Sequence, residues 1–201
     1  MMCGRVEQTM EGRTLTDDQS ADRPGPSSKW KRLSSRPLAR GPVHLDEDLV
    51  ELPNGHQAVY HVLRARGFSC ICPVTSDGRV ALVRQYRYAL QRVTVELPSG
   101  AIEEGETPAE AAERELLEEA GLVSDQWAHL GTFWTMPGRG DERAHLYLAS
   151  NVAPSTRASV RDDEIEVVLV PIDEALRGAE SVRDALCLRL AGDFGRPSSN
   201  G

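Results

Sequence analysis

The sequence predicts a mixed α/β (α+β) sandwich, with a sheet joined largely by hairpins and a few helices packed outside it. Three observations carry that reading. Short alternating apolar and polar segments recur between clusters of turn residues. One segment, 108–120, has helix signals at both ends. The last strand-like segment is followed by helical pieces rather than by another hairpin. A chain of 201 residues can bury a substantial core without disulfide or zinc staples.

Residues 1–28 are polar and end in DRPGPSS, which reads as a disordered tail; residues 194–201 read the same way. Residues 29–66 form an expected N-terminal β-region. In it, HLDEDLVEL and HQAVYHVLRA flank Pro53, Asn54 and Gly55, the turn residues of a hairpin. The main domain is expected over 67–193. GFSCICPVT and RVALVRQYR flank Ser76, Asp77 and Gly78, a second hairpin. VTVELPSG is a further strand that ends in a loop. WAHLGTFWTM and AHLYLASNV form another pair around the loop PGRGDER. EIEVVLVPI is a last strand, with DEALRG and SVRDALCLRL as helical pieces after it.

The cysteines are Cys3, Cys70, Cys72 and Cys187. Cys70 and Cys72 alternate onto one strand face. With no second pair at matching spacing, a zinc site is disfavoured and buried reduced thiols are expected. No apolar run is long enough to cross a bilayer, and the N-terminus lacks the apolar segment of a secretory signal. A cytoplasmic location is expected, with no membrane and no nucleic-acid partner, since no basic patch stands out.

The net charge is −8, and its distribution is informative. Residues 100–122 hold eight glutamates and one arginine, while the rest of the chain has 23 acidic against 22 basic residues. This acidity is a local concentration. An anionic ligand beside it would require divalent cations.

Most of that charge lies on the helix. Thr107 is placed as N-cap, Pro108 as first helical residue, Glu110 as capping-box partner and Gly121 as C-terminal cap. Ala109, Ala112, Leu116, Leu117 and Ala120 are expected on one side, with Glu115, Glu118 and Glu119 opposite. A solvated helix face is the plain alternative, but such a face usually mixes in lysines, and here only Arg114 is present. Clustered carboxylates on a rigid scaffold suit Mg²⁺ or Mn²⁺.

The stretch GAIEEGETPAEAAERELLEEAGL resembles the Nudix box of the Nudix hydrolases. Its fixed positions are filled by Gly100, Glu106, Arg114, Glu115, Leu116, Glu118, Glu119, Gly121 and Leu122. The resemblance implies a Nudix α/β/α sandwich around a mixed sheet. It also implies that Glu115, Glu118, Glu119 and the Ser99 carbonyl bind metal, with Glu118 also polarising water. Arg114 would position a glutamate, and Glu106 would support the loop. The implied reaction is attack of a metal-activated water on a pyrophosphate.

KWKRLSSRPLARGPVHLDEDLVELPNGHQAVYHV, LVRQYRYAL and VELPSGAIEEGE are similar to segments of the ADP-ribose pyrophosphatase subgroup. Pro137, 16 residues after Gly121, matches that subgroup's proline spacing. The likeness implies hydrolysis of ADP-ribose to AMP and ribose 5-phosphate. Arg87 would contact a phosphate, Glu96 would lie near the nucleoside or terminal ribose, and the loop of Gly138 and Arg139 would close over the substrate. Plain alternatives stand beside each: a strand-end surface arginine, a glutamate paired within the sheet. The base or an extra ligand would come from the loop of Asp162, Asp163 and Glu164, with Glu164 chosen. A homodimer through the N-terminal hairpin is implied too. Trp30 and Trp134 are candidates to stack on adenine or to pack in a core. Hydrolysis of another nucleoside diphosphate sugar or of nucleoside triphosphates is the enzymatic alternative. A non-catalytic ligand sensor is the third reading, against which the intact box counts.

Overall fold

The computed structural model describes residues 30–41, 43–156 and 165–194. The expected tails lie outside them, Phe194 aside, as do Cys3, Asp162, Asp163 and Glu164. The described chain divides into two compact units. One takes in 66–133, 143–156 and 165–194; the other holds the residues up to 65 together with 134–142.

The second unit is a three-stranded antiparallel sheet, β1 (Lys31–Ala39), β2 (His44–Glu51) and β3 (Gln57–Arg64), in that order. The β2–β3 hairpin closes where expected. Gly55 turns at φ +81° and donates to the Leu52 carbonyl at 2.9 Å. β1 was not evident as a strand, because all nine of its residues are exposed and show no apolar face. Its pairing with β2 creates it, helped by Arg36–Glu47 at 2.7 Å and Lys31–Glu51 at 3.0 Å. The loop 134–142 is tied to β3, with Leu63 N–H donating to the Arg139 carbonyl and Asp141 N–H to the Leu63 carbonyl.

The first unit contains β4 (Phe68–Thr75), β5 (Arg79–Arg87), β6 (Arg92–Glu96), β7 (Ser99–Ala101), α1 (Pro108–Ala120), β8 (Leu122–Val123), β9 (Gln126–Trp134), β10 (Arg143–Pro154), β11 (Glu166–Pro171), α2 (Ile172–Gly178) and α3 (Val182–Asp193). The sheet path is β11-β5-β4-β10-β8, with β6 on β5, β7 on β4 and β9 on β10. β4 and β10 run parallel, and β5 runs antiparallel to β4 and to β11, so the sheet is mixed. Both faces of β4 are covered, which is why FSCICPV is apolar apart from Ser69, whose buried hydroxyl donates to the Pro108 carbonyl at 2.6 Å. Cys70, Cys72, Leu82 and Leu97 pack with Cys187 and Leu188 of α3. Ile71, Val83 and Tyr147 pack instead with Ala112 and Leu116 of α1. The result is an α/β/α sandwich. The three described thiols are free and buried, as expected.

One expected strand is in fact two. VTVELPSG splits into β6, paired with β5, and β7, paired with β4. β4 and β5 pair at Val74↔Val80 beside their hairpin and then diverge. Leu97 and Pro98 cross the gap between them. Pro98 has no N–H for a ladder, but its carbonyl accepts from Ile71 N–H at 3.0 Å. The split places Glu96 and Ser99 at the mouth of the divergence.

Candidate active site

Helix α1 delivers the acidic residues, and local chemistry sets its ends. The Thr107 side chain accepts from Glu110 N–H, and Glu110 accepts from Thr107 N–H. Gly121 closes the helix at φ +64°.

The glutamates do not share one face. Glu118 is exposed, but Glu115 is buried and Glu119 partly so, and both border the buried stripe of Ala111, Ala112, Leu116 and Ala120. The expected placement of all three opposite the apolar side is therefore corrected. At about 100° per residue, position 119 falls close to position 112, so the helix twist brings Glu119 inward. Leu117 is only half-buried, and Ala111 takes the core place instead.

Arg114 stands at the centre of the acidic cluster. Its Nε and Nη2 donate to the two carboxylate oxygens of Glu106 at 2.9 and 3.0 Å. Nη1 donates to Glu115 at 2.6 Å and Glu118 at 3.1 Å, and Nη2 also reaches the Ala101 carbonyl at 2.9 Å. The Arg114 bonds hold the Glu106 carboxyl below its usual range. Burial pushes Glu115 up despite its bond to Arg114.

Gly100 explains how a carboxylate fits there. A Cβ at this position would lie 1.9 Å from Glu115 Oε1. The bare backbone is the floor on which Glu115 rests. Gly100→Ala should therefore expel the Glu115 carboxylate and lower kcat by roughly 10²-fold, while costing only about 1–2 kcal/mol of stability, since the obstructing atoms belong to a side chain that can move. Thermal melts beside steady-state rates check this. An alanine variant with full activity would refute the role of the floor.

Glu119 points elsewhere. Its Oε2 accepts from the Ser99 backbone N–H at 2.8 Å, and burial pushes its pKa up to about 7. The Ser99 hydroxyl oxygen is buried without a hydrogen-bond partner. Among the described residues no three acidic, histidine or cysteine side chains already converge as a metal cage. Glu115 and Glu118 turn to Arg114, and Glu119 turns to Ser99. In donor chemistry and charge the set still fits a hard divalent cation. It offers carboxylate oxygens, and in Glu119 it holds a carboxylate whose burial the Ser99 N–H offsets only in part.

Beyond Glu119 lies a second network. Arg87 binds Glu96 bidentately, Nε to Oε1 at 3.0 Å and Nη2 to Oε2 at 2.7 Å. Thr94 donates to the same carboxylate at 2.5 Å. Arg183 on α3 donates from Nη2 to Glu96 Oε2 at 2.6 Å and from Nε to Asp184 at 3.1 Å, with its guanidinium 5.5 Å from the centre of the Phe68 ring. Burial would raise Glu96, but these bonds outweigh it and hold the carboxyl below its usual range. Two residues expected to face substrate, Arg87 and Glu96, thus pair with each other. Arg183 was not anticipated, because nothing in SVRDALCLRL marks an arginine that meets a glutamate 87 positions away.

Gly138 and Arg139 belong to the other unit. There the Gly138 carbonyl accepts from Tyr60 Oη at 2.6 Å. Trp30 stacks edge-on against Tyr60, and both Trp30 and Trp134 are about half exposed, so neither is a core residue.

The layered mixed sheet thus carries a carboxylate-rich helix across its diverging strands. The NUDIX domain model matches residues 63–190. The chain is 36% identical over 137 residues to the methanol dehydrogenase activator of Bacillus methanolicus, covering 67% of this chain and 74% of that protein. It is 37% identical over 134 residues to the ADP-ribose pyrophosphatase of Bacillus subtilis, covering 66% and 72%. The fold matches the crystal structure of an ADP compounds hydrolase with a TM-score of 0.73 at 22% identity, over 83% of this chain and 94% of that one. The chain belongs to the Nudix hydrolase family, whose members in general need a divalent metal. No described helix is long and apolar enough to cross a membrane.

Proposed function

We propose that this enzyme hydrolyses the pyrophosphate bond of a nucleoside diphosphate linked to a further group, and that ADP-ribose is its substrate, giving AMP and ribose 5-phosphate. The observation that carries the chemistry is the helix α1 cluster, in which Arg114 holds Glu115 and Glu118 while the Ser99 N–H holds Glu119. The name of the Bacillus subtilis relative supports the substrate.

In this reading Glu115, Glu118, Glu119 and the Ser99 carbonyl hold Mg²⁺ or Mn²⁺. Bound there, the metal lowers the pKa of water and offsets charge on the phosphates. Arg114 orients Glu115 and Glu118, whose carboxylates both accept from its Nη1. Glu106 anchors Arg114 and, by accepting from Glu103 N–H at 3.0 Å, braces the loop before the helix. Arg87 spends Nε and Nη2 on Glu96 and turns Nη1 to a phosphate. Glu96 is then a holder of Arg87. Glu164, outside the described residues, remains the proposed base, and Gly138 and Arg139 the proposed covering loop. A cytoplasmic homodimer joined through the 29–66 region completes the proposal. The 30–65 sheet supports it with apolar side chains exposed at Leu33, Val59 and Tyr60.

The test is a hydrolysis panel of ADP-ribose, other nucleoside diphosphate sugars and nucleoside triphosphates, with Mg²⁺ or Mn²⁺ and with chelator. ADP-ribose should be turned over fastest, with AMP as a product and no turnover in chelator. Pyrophosphate release from triphosphates alone would overturn the substrate.

A further inference from the structure

The charges around Glu96 alternate along a single path. Asp184, 2% exposed, binds Arg183; Arg183 binds Glu96; Glu96 binds Arg87. Each link is a charge-assisted hydrogen bond, and such bonds are short and directional. The formal charges of the four sum to zero, so the path is poorly suited to attracting an anion by field alone. It is well suited to holding one guanidinium in place.

The path is anchored at its α3 end. The Ser181 side chain caps α3 by accepting from Asp184 N–H at 3.1 Å, and the Arg183 guanidinium lies over Phe68. It also reaches the acidic site. Asp184 lies 3.9 Å from the Cys70 sulfur, Cys70 pairs with Ser99 in the sheet, and Ser99 N–H holds Glu119. Arg87 and Arg183 share Oε2 of Glu96 while Thr94 holds Oε1, so loss of Arg183 removes the anchor on the oxygen that Arg87 Nη2 binds and lets that side of the carboxylate turn with Arg87.

We infer that Arg183 is a positioning residue for substrate binding: anchored by Asp184 and Phe68, it clamps Glu96 and thereby aims Arg87 at a substrate phosphate. The inference rests on the reading of Arg87 as a phosphate contact, and it assigns the first residues of α3 to the binding apparatus rather than to packing alone.

A double-mutant cycle tests it on the metal-loaded full chain. Arg87→Ala should raise KM for ADP-ribose by roughly 10-fold or more, and Arg183→Ala by about 5- to 10-fold with kcat nearly unchanged. In the Arg87→Ala background, Arg183→Ala should add almost nothing, because the residue it positions is gone. Arg183→Lys, which keeps the charge, should recover part of KM, and Arg183→Gln should not. A KM factor for Arg183→Ala that is the same with and without Arg87 would overturn the inference, as would an unchanged KM in Arg183→Gln. If Arg183→Ala does not fold, the cycle runs on Arg183→Gln. Should the wild-type chain fail to cleave ADP-ribose, the substrate reading fails instead, and the same cycle is measured on whichever compound the panel identifies.

Discussion

Glu119→Gln is expected to lower kcat by about 10³-fold while making the metal-free protein more stable at pH 8. The two effects have one cause. Glu119 is held inside the sheet mouth by a single backbone N–H, and burial pushes its pKa up to about 7 from 4.5. A carboxyl with a raised folded pKa holds its proton more tightly when folded than when unfolded. Its contribution to stability is intact below about pH 4.5 and is lost as pH climbs through 7. Across that window the metal-free protein should lose on the order of 2–3 kcal/mol through this one group. Glutamine has no proton to lose and can still accept from Ser99. In chelator, the Gln variant should therefore melt above the wild type at pH 8 and with it near pH 4.5. A divalent cation should reverse the order by stabilising only the carboxylate. A variant that retains near-normal turnover would remove Glu119 from the metal site, and one that melts lower in chelator at pH 8 would remove the electrostatic cost.

Why Glu119 could be named from sequence but not correctly oriented is instructive. The box spacing and the caps of α1 are local, and local chemistry decided both: Thr107, Pro108, Glu110 and Gly121 behave as their positions predict. Whether a glutamate faces solvent or strand depends on what lies across from it. For Glu115 that is the bare Gly100 backbone, and for Glu119 the Ser99 N–H. The hairpin turns at Gly55 and Gly78 were equally legible, since each needs positive φ. β1 and β7 were not, because neither carries an apolar pattern and each exists by pairing with a neighbour. The Arg87–Glu96–Arg183 network lay furthest from view. Its members come from β5, β6 and α3, which only the folded sheet brings together.

Replacing Arg114 by alanine should have the second large effect, and there stability and activity should fall together. Arg114 supplies the cation to which Glu106, Glu115 and Glu118 all turn, and Glu115 is buried. Removing one partner of a buried ion pair leaves an uncompensated charge, at about 3–5 kcal/mol. Arg114 keeps some contact with solvent and Glu118 is half exposed, so roughly 2–3 kcal/mol is the better expectation here. For a chain of this size that is a fall in Tm of about 5–10 °C. Arg114→Lys should fall between the two proteins, since one ammonium cannot span both Glu106 oxygens, Glu115 and the Ala101 carbonyl at once. Divalent cation should raise the Tm of Arg114→Ala by more than it raises that of the wild type, because in the variant the metal is the only cation left for Glu115 and Glu118. Calorimetry with and without Mg²⁺, beside kcat, checks the sign of each shift. A lysine variant equal to wild type in both would mean that the guanidinium fork organises nothing.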